Sequence, residues 1–350
     1  MNALQGYGFE LVVVDTGSSD GTLEMVRDYT ETVYQFEWCD DFSKAKNYAV
    51  SKASNNTVLV LDTDEYVTEL DLAQLEKQVQ EHPKQVGRIQ RRNFLYQESE
   101  IRTSIEYINR LFDRRYYHYE GCVHEQLVGF DGLSEDAGAI STYQTGICVD
   151  HSGYLLDKEE KRKKAIRNMD LLRRMLENKE DDPYLLYQMG KSCYMAEQYA
   201  EASHYLGKAL EFDLDEKLEF VIDAVETYGY ALVNSGQAQT ALGFEGLLDA
   251  FGNSSDFQFL MGVIYMNNEL FQKAVNSFEQ AVKLGNARMT GTDSYLAYYN
   301  AGVICECLGQ SQEAVDYYKK AGDYAPAVER RIIVMAENAD EEGTFKAPCK

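Results

Sequence analysis

The sequence predicts an α/β domain followed by an all-α solenoid, on three observations. Two apolar runs, Leu11-Val12-Val13-Val14 and Val58-Leu59-Val60-Leu61, each end in carboxylates. Strand-like and helix-like stretches alternate from Leu11 to about Cys148, the pattern of a wound sheet with helices. Beyond Pro183, four glycine–alanine pairs recur with one shared separation.

Each apolar run reads as a strand buried on both faces, a kind found mainly in parallel α/β sheets. Ligands of such sheets bind beyond the strands' carboxyl ends. Asp15 and the segment Asp62-Thr63-Asp64-Glu65 stand at those ends, so the acids lie where a ligand would be received. Helices are predicted over Thr22 to Tyr29, Phe42 to Ala53 and Leu70 to Gln80. Val86 to Tyr96 reads as a strand, whereas Ile105 to Tyr119, rich in Arg and Tyr, has mixed periodicity. A Lys/Arg/Glu-rich helix, Lys158 to Asn178, ends at the polar turn Asp181-Asp182-Pro183 and reads as a bridge.

The pairs of the second region are Gly190/Ala202, Gly229/Ala241, Gly262/Ala274 and Gly302/Ala314, followed at a constant offset by Ala209, Leu248, Ala281 and Ala321. Small residues at such places let paired antiparallel helices approach closely. A repeat of about 34 residues holding two helices is the tetratricopeptide signature. One such unit cannot bury its apolar face, so stacked units supply the core and a concave surface for partners. The tyrosines of this region, among them Tyr184, Tyr187, Tyr194, Tyr199, Tyr298 and Tyr299, recur at helical separations and read as packing residues. The expected domains are 1–155 for the α/β part, with 156–182 as the bridging helix. Residues 183–330 form the repeats, about four units, and 331–350 a polar tail.

A chain of 350 residues with 45% apolar and 26% charged content is an ordinary globular composition. Its net charge of -24 excludes nucleic acid as the main partner, because phosphate backbones are bound by clustered Lys and Arg. Seven cysteines without a CxxC spacing indicate neither a disulfide framework nor a zinc site. They suit a cytoplasmic setting. No run approaches the 18 or so residues that a membrane span needs.

The first region resembles glycosyltransferase family 2, in the subgroup that carries tetratricopeptide repeats behind a GT-A (Rossmann-like) nucleotide-sugar fold. The matching segments, in the family's order, are Val14-Asp15-Thr16-Gly17-Ser18-Ser19-Asp20-Gly21-Thr22, Phe42-Ser43-Lys44-Ala45-Lys46-Asn47, Leu61-Asp62-Thr63-Asp64-Glu65, Val123-His124-Glu125 and His151-Ser152-Gly153-Tyr154. The resemblance implies that Asp15 contacts the base or ribose of a nucleotide sugar, with Lys46 and Asn47 beside the nucleotide. It assigns Asp62 to ribose or phosphate contacts and Asp64 to a metal, Mg²⁺ or Mn²⁺, with His151 completing the shell. Glu125 is the first choice for the catalytic base of an inverting transfer, with His124 its competitor. Basic residues after His151, including Lys158, Lys161, Lys163, Lys164 and Arg167, are placed to hold a diphosphate.

The physical sense is sound. Carboxylates hydrogen-bond ribose hydroxyls, and cations offset diphosphate charge. Residues two apart in an extended segment point the same way, so Asp62 and Asp64 can converge on one hard cation. Asp15 has a rival reading as a cap for the helix near Gly21, where Ser18, Ser19 and Asp20 compete.

Two departures from the family stand out: only Met1 to Glu10 precede the strand ending at Asp15, so the family's first strand is missing from the sheet, and Lys46 stands where the family has arginine. The function expected is a metal-dependent inverting glycosyltransferase moving a sugar from a nucleotide-sugar donor, a UDP-sugar, to a peptide, protein or glycan acceptor. The subgroup includes peptide S-glycosyltransferases that act on bacteriocin precursors, which admits a polypeptide among these acceptors. The repeats would supply a protein partner or a homo-oligomer contact. The alternative is an inactive homologue serving as a repeat-based scaffold. A phosphatase reading of Asp62-Thr63-Asp64 fails at Tyr66, where that pattern wants Thr or Val.

Overall fold

The computed structural model describes residues 1–97, 100–130, 140–152 and 158–344, and the chain divides into two compact units, 1–181 and 182–350. In the first unit, strand β1 (Val13–Asp15) leads through helix α1 (Thr22–Arg27) to β2 (Val33–Gln35), with which it pairs in parallel. Helix α2 (Phe42–Lys52) is capped by Asp41, whose carboxylate accepts from the Lys44 amide at 3.0 Å. Then follow β3 (Thr57–Leu59), β4 (Glu65–Glu69), helix α3 (Leu72–Glu81), β5 (Val86–Gln97) and β6 (Glu100–Asp113). A small antiparallel pair, β7 (Tyr117–Glu120) and β8 (Gln126–Gly129), precedes β9 (Thr142–His151) and helix α4 (Lys158–Leu176).

Five strands form the main sheet in the order β3-β6-β5-β9-β4. Only β5 and β9 run parallel in it. The expectation of a parallel sheet is therefore corrected to a mixed one. The reason lies in β3, which pairs antiparallel with β6 while still being covered on both sides. Val58 and Val60 pack with Val86, Phe112 and Tyr119, whereas Leu59 and Leu61 pack with Leu75, Ile89 and Leu111. An unbroken apolar run reports two covered faces, not strand direction. The region of mixed periodicity, Ile105 to Tyr119, divides between β6 and β7. The helix read as a bridge belongs to the first unit, where Cys122 Sγ meets the Leu171 carbonyl at 3.8 Å.

The second unit begins with α5 (Pro183–Met195), capped by Asp182 through the Tyr184 and Leu185 amides, with proline in the first turn. It pairs with α6 (Tyr199–Ala209). Helix α7 (Glu219–Asn234) is followed by an irregular partner: α8 (Ala238–Ala241), a 3₁₀ stretch (Leu242–Leu247) and α9 (Leu248–Phe251). Regular pairs return with α10 (Ser255–Asn267) and α11 (Phe271–Leu284), then α12 (Tyr295–Cys307) and α13 (Ser311–Lys320). Helix α14 (Ala325–Thr344) closes the unit, so residues 331–344 are helical where a polar tail is expected. Its start at Ala325-Pro326 suits proline's place in a first helical turn.

The recurring small residues form the seams. Ala202, Ala241, Ala274 and Ala314 are fully buried. A methyl group added at Gly190 would come within 2.5 Å of Leu206, at Gly262 within 2.5 Å of Phe278, and at Gly302 within 2.6 Å of Tyr318. In each case the opposing residue lies sixteen positions on, in the paired helix. The irregular pair departs from this rule, for Gly229 faces both Phe244 and Leu260.

Candidate active site

Strand register assembles the polar residues of the first unit. Across β4, β9, β5 and β6, Glu65 lies opposite His151, His151 opposite Asn93, and Asn93 opposite Ser104. In the adjoining row Val67 faces Val149, Val149 faces Arg91, and Arg91 faces Glu106. Residues two apart share a face. That face is therefore apolar at Ile89, Ile147 and Val149 and becomes polar along the strands at Asn93, His151 and Glu65, all of them buried.

The Asp62-Thr63-Asp64 segment is not extended. It is a turn between β3 and β4, closed by the Glu65 amide donating to the Asp62 carbonyl at 3.0 Å. The Glu65 carboxylate accepts in return from the Asp62 amide at 3.0 Å. This corrects the expectation that strand alternation aligns the two aspartates; they take different partners.

Asp62 is held by Arg110 Nη2 at 2.5 Å and Lys46 Nζ at 2.8 Å. Burial opposes ionisation there, but Arg110 and Lys46 outweigh it and hold the carboxyl well below the ordinary range. Lys46, on α2, also reaches Glu125 Oε1 at 2.6 Å, and its ammonium lies 5.5 Å from the Tyr119 ring centre. Burial and Arg110 work against its charge, while Asp62 and Glu125 raise it above the ordinary lysine value. Donor-side acid, cation and base candidate thus form one cluster. Asp64 Oδ2 instead meets His151 Nε2 at 3.2 Å, and this contact, helped by Lys164, keeps its carboxyl low. His151 Nδ1 is 2.8 Å from Asn93 Oδ1.

A closed circuit joins the two aspartates. From Asp62 it passes through Arg110 to Glu65 at 2.8 Å, Arg91 at 3.1 Å, Glu106 at 2.7 Å and Asn93 at 2.5 Å, then through His151 to Asp64. Glu65, with no exposed side-chain surface, is its hub. Sequence reasoning missed Arg110, Glu65, Arg91, Asn93 and Glu106. Arg110 lay in the stretch of mixed periodicity. Glu65 offered a signal, as a fourth acid directly after the motif.

The other expected residues sit differently. Asp15 is buried, and its carboxylate accepts from the Gly17 and Ser18 amides at 3.1 and 3.2 Å. It shapes its own turn, and the cap position of α1 is Gly21, without a side-chain cap. No ion pair or hydrogen bond links it to the Asp62 cluster among the described residues. Asn47 is turned away from a nucleotide role. Its amide exchanges two hydrogen bonds with the Tyr119 backbone, at 2.8 and 2.9 Å, and locks α2 to β7. On α4, Lys164 interacts electrostatically with both Asp64 and Asp62. Gly153 and Tyr154 lie outside the described residues.

Among the described residues no group of three His, Cys, Asp or Glu could hold a metal ion. Asp64 and His151 make a set of two. Mg²⁺ and similar ions are commonly held by one or two carboxylates plus substrate phosphates, so the pair fits such an ion through one hard oxygen and one imidazole nitrogen.

Residues 2–131 match the family model for glycosyl transferase family 2. Residues 255–285 and 295–327 match the tetratricopeptide repeat. The chain thus joins a family 2 glycosyltransferase domain to tetratricopeptide repeats. Among curated relatives it is similar to a TPR repeat-containing protein of Synechococcus elongatus, 27% identical over 58% of this chain and 50% of that one. It is also similar to the SPbeta prophage-derived glycosyltransferase SunS of Bacillus subtilis, 23% identical over 60% of this chain and 49% of that one. The chain spans about half the length of these relatives. Among solved structures, YrrB, described as a TPR protein with an unusual peptide-binding site, covers 49% of this chain and 86% of its own at 21% identity and a TM-score of 0.40. MamA from Desulfovibrio magneticus covers 47% and 93% at 19% identity and 0.39. No helix among the described residues is long and apolar enough to cross a membrane.

Proposed function

We propose that this chain is an inverting glycosyltransferase that transfers a sugar from a UDP-sugar to a polypeptide acceptor. The observation that carries the reading is the double ion pair of Lys46, which ties Asp62 to Glu125 in a half-buried cluster within a family 2 domain. The glycosyltransferase SunS among its relatives supports the same class.

In this reading Asp62, kept ionised by Arg110 and Lys46, orients the donor's ribose or phosphates. Asp64 and His151 hold Mn²⁺ or Mg²⁺, the imidazole favouring Mn²⁺ of the two. The cation supplies charge neutralisation for the departing diphosphate. Glu125 removes the acceptor's proton through Oε2, since Oε1 is taken by Lys46. Asp15 shapes the loop beside the nucleotide. The acceptor is presented with help from the repeats.

The test is calorimetry of UDP binding with and without Mn²⁺, followed by UDP release from a panel of UDP-sugars. Metal-dependent UDP binding with donor turnover is expected. Absence of both heat and thermal shift overturns the proposal in favour of a binding scaffold.

A further inference from the structure

The orientation of the Asn93 side chain can be worked out from its neighbours. Its Nδ2 lies 2.5 Å from Glu106 Oε1. That oxygen also accepts from Arg91 Nε at 2.9 Å and Nη2 at 2.7 Å, so Glu106 is an ionised carboxylate that can only accept. Turning the amide over would set its oxygen against that carboxylate. The NH₂ group therefore faces Glu106, and Oδ1 faces His151. An amide oxygen accepts and never donates, so His151 Nδ1 must carry a proton. In a neutral ring the lone pair then falls on Nε2, the atom turned toward Asp64 Oδ2.

A lone pair directed at a carboxylate is unfavourable unless a cation or proton lies between them. The sheet register makes this arrangement rigid, because Asn93 sits directly opposite both His151 and Ser104. Both side chains are buried, Asn93 4% and His151 6% exposed.

We infer that Asn93, held by the Arg91–Glu106 pair, is the positioning residue that fixes His151 as its Nδ1–H tautomer, so that Nε2 and Asp64 together present a cation site. This rests on the transferase reading only for the cation's purpose; the tautomer itself is a property of the metal-free protein. Residues that orient a ligating imidazole commonly change metal affinity 10–100-fold when removed.

The experiment uses ¹⁵N histidine spectra of the full metal-free chain, which report each ring nitrogen separately, with His151 assigned by His151→Gln. Mn²⁺ affinity is measured in parallel by electron paramagnetic resonance. In the wild type Nδ1 should be protonated, whether or not a proton also lies between Nε2 and Asp64 when no metal is bound. Asn93→Leu should mix the tautomers and weaken Mn²⁺ binding about tenfold or more.

Asn93→Asp combined with Glu106→Gln restores a donor facing an acceptor, with an acceptor still facing Nδ1, and should recover both readouts. This pair also tests the idea if Asn93→Leu fails to fold. An unprotonated Nδ1 in the wild type, or an unchanged tautomer in folded Asn93→Leu, overturns the inference. A correct tautomer with no Mn²⁺ binding by the wild type overturns the cation site while leaving the role of Asn93 in orienting the ring supported.

Discussion

The two units bury different things. The first places Asp15, Glu65, Asn93, Arg110 and His151 out of water, and four of these five belong to the circuit around the Asp62-Thr63-Asp64 turn. The second closes its helix pairs with small residues: Ala202, Ala241, Ala274 and Ala314 are fully buried, and Gly190, Gly262 and Gly302 lie against Leu206, Phe278 and Tyr318, while the buried polar groups of Asp256 and Thr292 lie apart from these seams. Charges removed from water must be paired, and losing one partner is expensive. Close-packed seams respond to volume instead. The contrast teaches that paired charge maintains the candidate site while shape maintains the seams between repeat helices.

Substitutions can break that contrast. The largest effect is expected for Asp64→Ala, which should lower turnover by about 10³-fold, the scale of losing a key charge-stabilising group, with the circular-dichroism spectrum unchanged. Next comes Glu65→Leu, which strands Arg110 and Arg91 without their shared carboxylate. It should cost the first unit about 3–5 kcal/mol, read from urea unfolding. Gly302→Val drives a side chain into the Tyr318 ring, and should destabilise the repeats by about 1–3 kcal/mol while calorimetric UDP binding stays as it was.

Acidity should separate the units in opposite directions. Burial, with Asp256 and Asp223 nearby and only Arg288 opposing, pushes the Glu226 carboxyl from its ordinary 4.5 up to about 8. The folded repeats hold that proton more firmly than the unfolded chain. Their stability should therefore be fullest below about 4.5 and decline as pH rises to about 8. Glu226→Gln should flatten this dependence by a few degrees of Tm. Asp62 behaves in the reverse sense: its contribution is present above the ordinary 3.8 and is lost as pH falls below it. The smallest effect belongs to the exposed Lys273–Glu245 pair at 2.8 Å. Lys273→Ala should change stability by less than about 1 kcal/mol.

Much of this contrast could be read before any coordinates. The glycine–alanine spacing located the seams because the glycine is met by a large side chain of the paired helix and the alanine is fully buried, so composition at those places is dictated by space. Its failure at the second pair is physical: the partner of α7 is broken by a 3₁₀ stretch, and Leu248 therefore leaves the register that Ala209, Ala281 and Ala321 keep.

In the first unit the motif residues gather in two groups, Lys46 with Asp62 and Glu125, and Asp64 with His151. Asn47 did not, because an amide beside a strand can satisfy backbone groups as readily as a ligand. The circuit through Arg91, Asn93 and Glu106 was hidden for a different reason. It is created by register across four strands, and register follows from pairing partners that no local pattern names.

The seams carry one more consequence. At Gly190, Gly262 and Gly302 the fit is made inside a single helical hairpin, so that seam is complete within its own repeat even though the core is shared with the neighbours. Gly229 is seated partly on Leu260, which belongs to the hairpin that follows. Duplication or deletion of modules in this lineage should respect that joint, with the two central hairpins inherited as a block and length variation falling on either side of them.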